Sequence, residues 1–180
     1  EKHPLKPINH YGYTKLQTEK TIDLFANKDQ IMYANLRYFN AAGYDAQGRI
    51  RSLEKNPANL IPLVMEVASC KRDKLLVYGN NFDTDDGTGV RDYVHVSDLA
   101  RAHLAALELI LRNQCATINL GSEKQYSVMD VIRMTEKITG KEIPYEVVGR
   151  REGDPDKIYA SSENAQNILK WSAEESELDN

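Results

Sequence analysis

Several residue types are scarce in this chain of 180 residues, and each scarcity argues against a class of protein. There are only two cysteines, Cys70 and Cys115, too few for a disulfide framework or a tetrahedral metal cluster. No apolar run approaches the roughly 20 residues that a membrane-spanning helix needs, and the chain opens on a polar stretch rather than a signal peptide. We therefore predict a reduced, cytoplasmic protein without a membrane segment.

Neither sign of charge is in large excess. The chain has 23 Lys and Arg against 27 Asp and Glu, a net charge of -4, so we expect no nucleic-acid partner. Hydrophobic residues make up 41% and charged residues 28%, which favours a globular fold over a disordered one. The length alone predicts one domain or little more.

A glycine-rich phosphate-binding turn is also missing. Dinucleotide-binding folds carry G-x-G-x-x-G or a close variant between a strand and a helix. Only Gly87 and Gly89 begin such a pattern, and Asp92 stands where the third glycine should be. The residues before Gly87 are polar rather than strand-like. We therefore predict that this chain holds no pyrophosphate-binding turn of its own.

Helical and strand patterns alternate along the chain, which predicts an α/β fold. Ser97 is predicted to cap one helix, and Ser127 with Asp130 has the spacing of a capping box for the next, which ends at Gly140. The predicted helices span 11–27, 59–71, 97–112, 127–138 and 164–169. The predicted strands span 31–39, 75–78, 93–96, 116–120 and 143–148.

Tyr11 and Lys15 form the strongest candidate catalytic pair. They are four residues apart at the start of a helix, so their side chains share one face. A phenol is a poor base near neutral pH because its ordinary pKa is about 10. A nearby ammonium stabilises the phenolate, and such a pair can exchange a proton with a substrate hydroxyl. The alternative is two exposed residues on a solvated helix.

Five segments in order resemble the extended short-chain dehydrogenase/reductase family, in its UDP-glucose 4-epimerase branch. The resemblance runs from Pro4 to Trp171, nearly the whole chain. Five motifs in the expected order identify the family more specifically than any single motif does. The segments are Pro4-x-x-Pro7-x-x-x-Tyr11-Gly-x-Thr-Lys15, Leu36-Arg37-Tyr38-Phe39-Asn40, Asn59-Leu60-Ile61-Pro62, Asp86 to Val96 with Asp98-Leu99-Ala100, and Arg150-Arg151-Glu152-Gly153-Asp154.

The resemblance implies a fold, a reaction and partners. It implies the C-terminal part of an NAD(P)-binding Rossmann-like fold plus a small α/β substrate domain. Residues 1–40 would be terminal Rossmann elements, and 41–180 mostly the substrate domain, with about 92–112 returning to the Rossmann domain. The implied reaction is NAD-dependent oxidation of a UDP-hexose at C4, rotation of the keto sugar and re-reduction, as in galactose metabolism. The parent protein would be a homodimer.

The resemblance also implies roles for residues in the first half of the chain. Tyr11 and Lys15 would be catalytic and would meet the cofactor, with Tyr38 beside the nicotinamide. Asn40 would bind the substrate, although a turn cap is its simpler role. The remaining substrate-binding candidates here are Asn59 and Leu60 at a helix start, where free N–H groups suit an anion, and Leu76 and Tyr78 on a strand, beside the uracil.

Further substrate-binding candidates lie later in the chain. Arg91 follows a Gly-Thr-Gly turn, and its fork suits a diphosphate; its alternative is a surface ion pair with Asp92. Arg151 would bind the second phosphate and Asp154 the ribose hydroxyls, unless they are a solvated charge cluster. The last candidates are Tyr93, for which a structural role is the alternative, and Ile158. By the resemblance, Ile158 borders the 2-substituent of the sugar, and because it is smaller than a tyrosine, which would narrow the pocket, we expect N-acetylated UDP-hexoses to be accepted.

Several questions stay open at this point. The acidic loop 83–87 lacks the spacing of a calcium-binding loop, and we propose no metal. One alternative function is another nucleotide-sugar epimerase or dehydratase of the same family. The other is a non-catalytic nucleotide-sugar-binding fragment, because the glycine-rich NAD-binding half is missing. We expect the chain alone to be inactive.

Overall fold

The computed structural model describes residues 1–45, 47–50 and 54–179. Helices and strands alternate through these residues, as the sequence predicted. The helices are α1 (His10–Asp29), α2 (Leu60–Ala68), α3 (Val96–Leu111), α4 (Val128–Thr139) and a π-helical segment, Ala165–Leu169. The strands are β1 (Ala34–Tyr38), β2 (Asn40–Ala42), β3 (Leu75–Tyr78), β4 (Val90–Arg91), β5 (Tyr93–His95), β6 (Ala116–Leu120), β7 (Tyr126–Ser127), β8 (Tyr145–Val148) and β9 (Lys157–Ile158).

Most strand pairing is parallel. Strand β1 pairs with β6, β2 with β5, and β3 with β8, all in parallel. Strand β4 runs parallel to β9 and antiparallel to β7. The predicted α/β fold is therefore confirmed, since parallel pairs need the helical crossovers that separate their strands in sequence. The sequence did not predict β2, β4, β7 and β9, because two or three residues are too short to show alternation.

The helix ends agree with the prediction to within one residue at α4, whereas α2 ends at Ala68, before the predicted residue 71, and α3 has a different cap. The Ser127 hydroxyl accepts from the Asp130 N–H and the Asp130 carboxylate accepts from the Ser127 N–H, so the predicted capping box is confirmed. Gly140 ends that helix in the left-handed region. The prediction that Ser97 caps α3 is wrong. The cap is His95, whose Nδ1 accepts from the Ser97 N–H at 3.1 Å.

Two separate hydrophobic clusters hold the described residues together. The first packs α3 against β1, β6 and the π-helical segment, and its members include Leu99, Ile118 and Trp171. The second packs α2 against α4, β3 and Tyr93. Burial of apolar area is the main stabilising contribution in each. The predicted domain boundary, with 1–40 and 41–180 on its two sides, stays a prediction.

Helix α1 is attached to the sheet by an ion pair rather than by a buried face. None of its residues is buried. Glu19 in its middle receives a hydrogen bond from Arg37 Nε on β1 at 2.7 Å, and a second contact joins Arg37 Nη2 to the same carboxylate. The helix that carries Tyr11 and Lys15 is thus held to the edge of β1.

None of the helices found in residues 1–45, 47–50 and 54–179 combines the length and the apolar character that crossing a bilayer requires.

Asp98, in the first turn of α3, anchors the segment that follows the π-helix. Its carboxylate is completely buried and accepts from the Arg101 guanidinium and the Ser176 hydroxyl. The backbone N–H groups of Glu174 and Glu175 donate to it at 3.1 and 3.0 Å. A buried carboxylate is tolerated only with this many donors.

Truncation of this carboxylate should destabilise the chain. We expect Asp98→Ala to lower the free energy of unfolding by about 3 kcal/mol, because it leaves the buried Ser176 hydroxyl and two partly buried backbone N–H groups without an acceptor. Urea denaturation followed by Trp171 fluorescence measures this change. Glu108→Ala, on the exposed face of α3, is the matched control and should change stability little. Equal effects of the two substitutions would contradict the anchoring role.

Candidate active site

Tyr11 and Lys15 lie in the first two turns of α1 and face solvent. The side chain of Asn9 caps the helix by accepting from the Gly12 N–H at 2.9 Å, which fixes where the helix begins. Tyr11 is 69% exposed, and Lys15 Nζ lies 5.1 Å from the centroid of its ring. Within the described part of the chain, Lys15 Nζ makes no other polar contact. The spacing in sequence therefore places an ammonium beside a phenol, with both open to a ligand.

The loop that carries Arg151 and Asp154 approaches the start of α1. A Cβ on Gly153 would lie 3.5 Å from the carbonyl oxygen of Ile8 and 3.6 Å from Cβ of Asn9. These are ordinary packing distances, so this loop rests beside the residue that caps α1. The candidate phosphate-binding residues are thereby linked to the helix of the candidate catalytic pair.

Arg91 lies on β4 and points to the same loop. Its guanidinium contacts the Asp154 carboxylate through Nη2, and Nη1 donates to the Val90 carbonyl at 2.8 Å. The alternative of an ion pair with Asp92 is wrong. Asp92 is completely buried and accepts hydrogen bonds from a different set of groups. Arg91 and Asp154, predicted separately, are direct partners.

Ile158 lies next to this pair. In the parallel pairing of β4 with β9, Ile158 is the register partner of Arg91. Its side chain is partly exposed. A predicted specificity residue is therefore adjacent to a predicted phosphate ligand, although the two are 67 positions apart in sequence (158 minus 91).

Arg151 stacks on the residue that the sequence offered as a nucleobase platform. Its Cζ lies 3.7 Å from the centroid of the Tyr78 ring at the end of β3. A guanidinium over an aromatic face is a favourable cation–π contact. Leu76, two residues earlier on the same strand, is exposed. A ligand can therefore stack on this face of the Tyr78 ring only if it displaces Arg151.

Arg150 is a neighbour of this group that sequence reasoning left out. Its guanidinium lies 3.9 Å from the centroid of the Phe82 ring and forms an ion pair with Asp156 at 3.1 Å. The pair of consecutive arginines was visible in the sequence, but nothing local distinguished the two.

Asn40, Tyr38 and Tyr93 lie where strands end or pair. Asn40 opens β2 opposite Tyr93 on β5, and their side chains are hydrogen-bonded. Tyr38, the last residue of β1, is exposed, and its ring centroid lies 6.1 Å from that of His103. Tyr93 is only 8% exposed and belongs to the second hydrophobic cluster. Its role in substrate binding stays a prediction, and the structure gives it a packing role as well.

Burial raises the pKa of Tyr93 to about 12, while the hydrogen bond with Asn40 and the charge of Arg91 act in the opposite direction. The phenol is therefore neutral at any physiological pH. It can donate or accept one hydrogen bond but cannot act as a base.

Asn59 and Leu60 stand at the start of α2. Asn59 is the N-cap residue of α2, but its side chain makes no capping hydrogen bond. Leu60 is partly buried against the second hydrophobic cluster. The first N–H groups of α2 consequently have no side-chain acceptor from Asn59 and can serve an anion.

Comparison with known proteins places this chain in a family. A model of the NAD dependent epimerase/dehydratase family matches residues 1–121. The chain belongs to this family. The UDP-glucose 4-epimerase of Halalkalibacterium halodurans is 44% identical over 172 residues, which is 95% of this chain and 52% of that protein. The resemblance read from the sequence motifs is thus confirmed.

Solved structures are similar over nearly the whole chain. UDP-glucose 4-epimerase from Stenotrophomonas maltophila, with bound NAD and formylated UDP-arabinopyranose, has a TM-score of 0.91 and 37% identity. The match covers 99% of this chain and 54% of that one. The enzyme from Bifidobacterium longum, in complex with NAD+ and UDP, has a TM-score of 0.89 and 40% identity, over 95% and 51% of the two chains. The chain spans about half the length of the curated relatives it matches.

The raised pKa of Tyr93 predicts a specific loss of stability at high pH. The folded chain holds the phenolic proton more tightly than the unfolded chain, whose pKa is 10.0, so this stabilisation is complete below pH 10 and disappears as pH rises to about 12. We expect the difference in unfolding free energy between wild type and Tyr93→Phe to shrink by about 2 kcal/mol over that interval. Urea denaturation at several pH values measures it.

The exposed Tyr145 supplies the control for this experiment. Tyr145→Phe should give a curve parallel to the wild type at every pH. A Tyr93→Phe curve that also stays parallel would contradict the buried, neutral state of Tyr93.

Proposed function

We propose that this chain is the catalytic-pair and UDP-binding part of a UDP-glucose 4-epimerase. One observation carries the proposal. The Arg150–Asp154 loop lies against Arg91 on one side and against the cap of the Tyr11 helix on the other. A nucleotide diphosphate held by the arginines would therefore be bound close to the helix that carries Tyr11 and Lys15.

Tyr11 is the proposed acid and base. As a phenolate it removes the proton from the 4-hydroxyl of the sugar, and as a phenol it returns it. Lys15 Nζ, 5.1 Å from the ring, stabilises the phenolate by its charge. Exposure of both side chains lets a sugar reach them.

The donor set on α1 also suits NAD. Among the described residues, Lys15 Nζ has no polar contact other than the Tyr11 ring. Its N–H groups can therefore donate to a ligand, and we propose that they donate to a ribose hydroxyl of NAD. Tyr38, exposed at the end of β1, is the proposed neighbour of the nicotinamide. Bound NAD supplies reversible oxidation at C4. The glycine-rich turn for its pyrophosphate is absent from the 180 residues, so that turn has to come from another segment or chain.

The UDP part of the substrate is assigned to the loop, strand ends and helix start described above. We propose Arg91 and Arg151 for the diphosphate, because a guanidinium fork pairs with phosphate oxygens. Asp154, beside Arg91, is the proposed acceptor for the ribose hydroxyls. The other proposed substrate contacts are Asn40, Asn59, Leu60, Leu76, Tyr78 and Tyr93.

We further propose a cytoplasmic homodimer with a role in galactose metabolism. Cys70 and Cys115 are both exposed free thiols, as expected in a reducing compartment. Leu24 and Phe25 are exposed on α1, which has no buried residue, and this apolar surface suits an interface between copies.

A second candidate function is a UDP-sugar-binding fragment without catalysis. It is favoured by the missing glycine-rich turn. Both candidates predict no reaction when the 180-residue chain alone is mixed with NAD and UDP-galactose, and they differ in whether the chain becomes active once it is joined to a dinucleotide-binding half. We expect calorimetric binding of UDP without formation of UDP-glucose. Turnover by the chain alone would contradict the need for a separate dinucleotide-binding half.

Substitution of Tyr11 tests the catalytic assignment. The enzyme for this test joins the chain to the dinucleotide-binding half of the Halalkalibacterium halodurans relative, which must first show turnover. We expect Tyr11→Phe to reduce turnover by about 100-fold or more, because proton transfer is lost. The affinity for UDP should stay unchanged. Tyr13→Phe, a neighbouring exposed tyrosine, is the matched control, and equal activity of the two variants would exclude Tyr11 as the acid and base.

Ile158 is proposed to admit the N-acetyl group at the 2-position of the sugar. We expect the same joined enzyme to turn over UDP-N-acetylglucosamine, and Ile158→Tyr to reduce that activity about tenfold because a larger side chain fills the space. Turnover of UDP-glucose should change much less. Absence of any product from UDP-N-acetylglucosamine with the unmodified enzyme would remove this proposal and leave the epimerase proposal intact.

A further inference from the structure

We infer that Arg150 is a positioning residue for the UDP site. It fixes the 149–156 loop so that Asp154 is held beside Arg91, while the adjacent Arg151 is left to meet the diphosphate. This inference rests on the proposed function and adds a residue and a division of roles to it.

Arg150 makes three contacts with the protein, two within its own loop and one with Phe82 outside it. Its guanidinium lies over the Phe82 ring, with Cζ 3.9 Å from the centroid. Its Nη2 donates to the carbonyl oxygen of Asp154 at 2.7 Å and pairs with the Asp156 carboxylate at 3.1 Å. One face of the guanidinium and its Nη2 are therefore engaged by the protein itself, which holds this side chain in place.

The surface under Arg150 is buried and closely packed. Phe82 is 5% exposed, and its N–H donates to the Gly87 carbonyl at 2.9 Å. Gly79 has a φ of +89°, and a Cβ there would lie 2.8 Å from the Phe82 ring and 3.1 Å from Cβ of Arg150. Only glycine permits this approach. The stack of Arg150 on Phe82 is therefore a close-packed contact.

Asp156 fastens the far end of the same loop. Its carboxylate accepts from the Asp83 N–H at 3.2 Å as well as from Arg150. Its carbonyl accepts from the Val90 N–H at 2.9 Å, next to Arg91. The loop is thus tied to the 82–90 segment by Arg150 at its start and by Asp156 at its end.

These contacts fix the position of Asp154. Arg150 holds its carbonyl, and Arg91 contacts Oδ1 of its carboxylate. Oδ2 makes no hydrogen bond within residues 1–45, 47–50 and 54–179. The carboxylate is therefore oriented from two sides and keeps one acceptor open, as recognition of a ribose hydroxyl requires.

Arg151 also lies over an aromatic ring, but it lacks the polar contacts that Arg150 makes. Its guanidinium rests on Tyr78 at 3.7 Å and has no ion pair or hydrogen bond with the described residues. A cation–π contact on a partly exposed ring is weaker than a charge-assisted hydrogen bond to phosphate. An incoming diphosphate can therefore draw Arg151 from Tyr78 and free the ring for a nucleobase.

Calorimetric titration of the 180-residue chain with UDP and with uridine separates the two roles. Arg151→Gln should weaken UDP binding by about tenfold or more and leave uridine binding within about twofold, because only the phosphate contact is lost. Arg150→Gln should weaken both ligands by the same factor, about fivefold, because Asp154 is no longer held for the ribose. Arg112→Gln, at the exposed C-cap of α3, makes the same charge change away from the loop and should alter neither.

A double-mutant cycle shows whether Arg150 acts through Asp154. In an Asp154→Asn background, Arg150→Gln should cause little further loss of uridine affinity, because the carboxylate that it positions is gone. Fully multiplicative losses would overturn the positioning role. Selective loss of UDP binding in Arg150→Gln would also overturn it, since that is the behaviour of a direct phosphate ligand.

Two further measurements keep the inference separate from the proposed function. Failure of the wild-type chain to bind UDP contradicts the proposed function and the inference with it, whereas wild-type binding with unchanged uridine affinity in Arg150→Gln overturns the inference alone.

If Arg150→Gln does not fold, Arg150→Lys is the second variant, because it keeps the charge toward Asp156 and loses the planar stack. It should weaken the binding of UDP and of uridine by the same factor, and by less than Arg150→Gln. Faster amide hydrogen exchange across 150–156 in the Arg150 variant, and not in Arg151→Gln, is the expected structural signature.

Discussion

The buried carboxylate of Asp92 is the contact on which the geometry of the candidate site depends. It accepts from the N–H and hydroxyl of Ser122 at 2.8 and 2.7 Å, and from the N–H groups of Glu123 and Ala160. Its own carbonyl accepts from the Asn40 N–H at 3.0 Å. The Asp92 side chain thus joins the segments that follow β6 and β9, and its carbonyl holds the start of β2, at the junction of β4 and β5. A carboxylate that accepts from four donors can stay buried, and loss of either segment would remove some of those donors.

Asp92 also explains why residues far apart in sequence become neighbours. It lies between Arg91, which faces Asp154, and Tyr93, which is hydrogen-bonded to Asn40. Adjacent residues in an extended strand point to opposite sides. The central carboxylate therefore points inward to organise loops while its two neighbours face the other way, toward the residues proposed to bind the substrate.

The sequence predicted the fold wherever a periodic pattern or a cap was long enough to read. Helix α4 was predicted correctly because Ser127, Asp130 and Gly140 mark its ends by local chemistry. Strand β1 was overextended to 31–39, since apolar composition continues beyond the residues that pair with β6. The cap of α3 was misassigned because a histidine nitrogen replaced the expected serine hydroxyl. The two-residue strands were unreadable because tertiary pairing alone defines them.

The candidate site was predictable to the extent that its residues are local. Tyr11 and Lys15 are one helical turn apart, so their contact follows from spacing alone. The partners of Arg91 are not local, and the neighbouring Asp92 was a reasonable but incorrect choice for its ion pair. Arg150 and Arg151 are chemically identical in the sequence. Only the fold shows that one packs on a buried phenylalanine and the other on a partly exposed tyrosine.

Electrostatics gives this arrangement its rationale. The chain carries a net charge of -4, yet Arg91, Arg150 and Arg151 converge on a loop that contributes the carboxylates of Asp154 and Asp156. A partly buried arginine without an anion would be costly, so the contact with Asp154 lets Arg91 stay 15% exposed before a ligand arrives. A diphosphate carries more charge than one such pair can neutralise, and a second, uncommitted cation is then needed. Arg151 is proposed to meet that need, because its stacking contact on Tyr78 can be broken more easily than an ion pair. In this proposal Arg91, already held by Asp154, fixes the position of the diphosphate, and Arg151 completes its neutralisation.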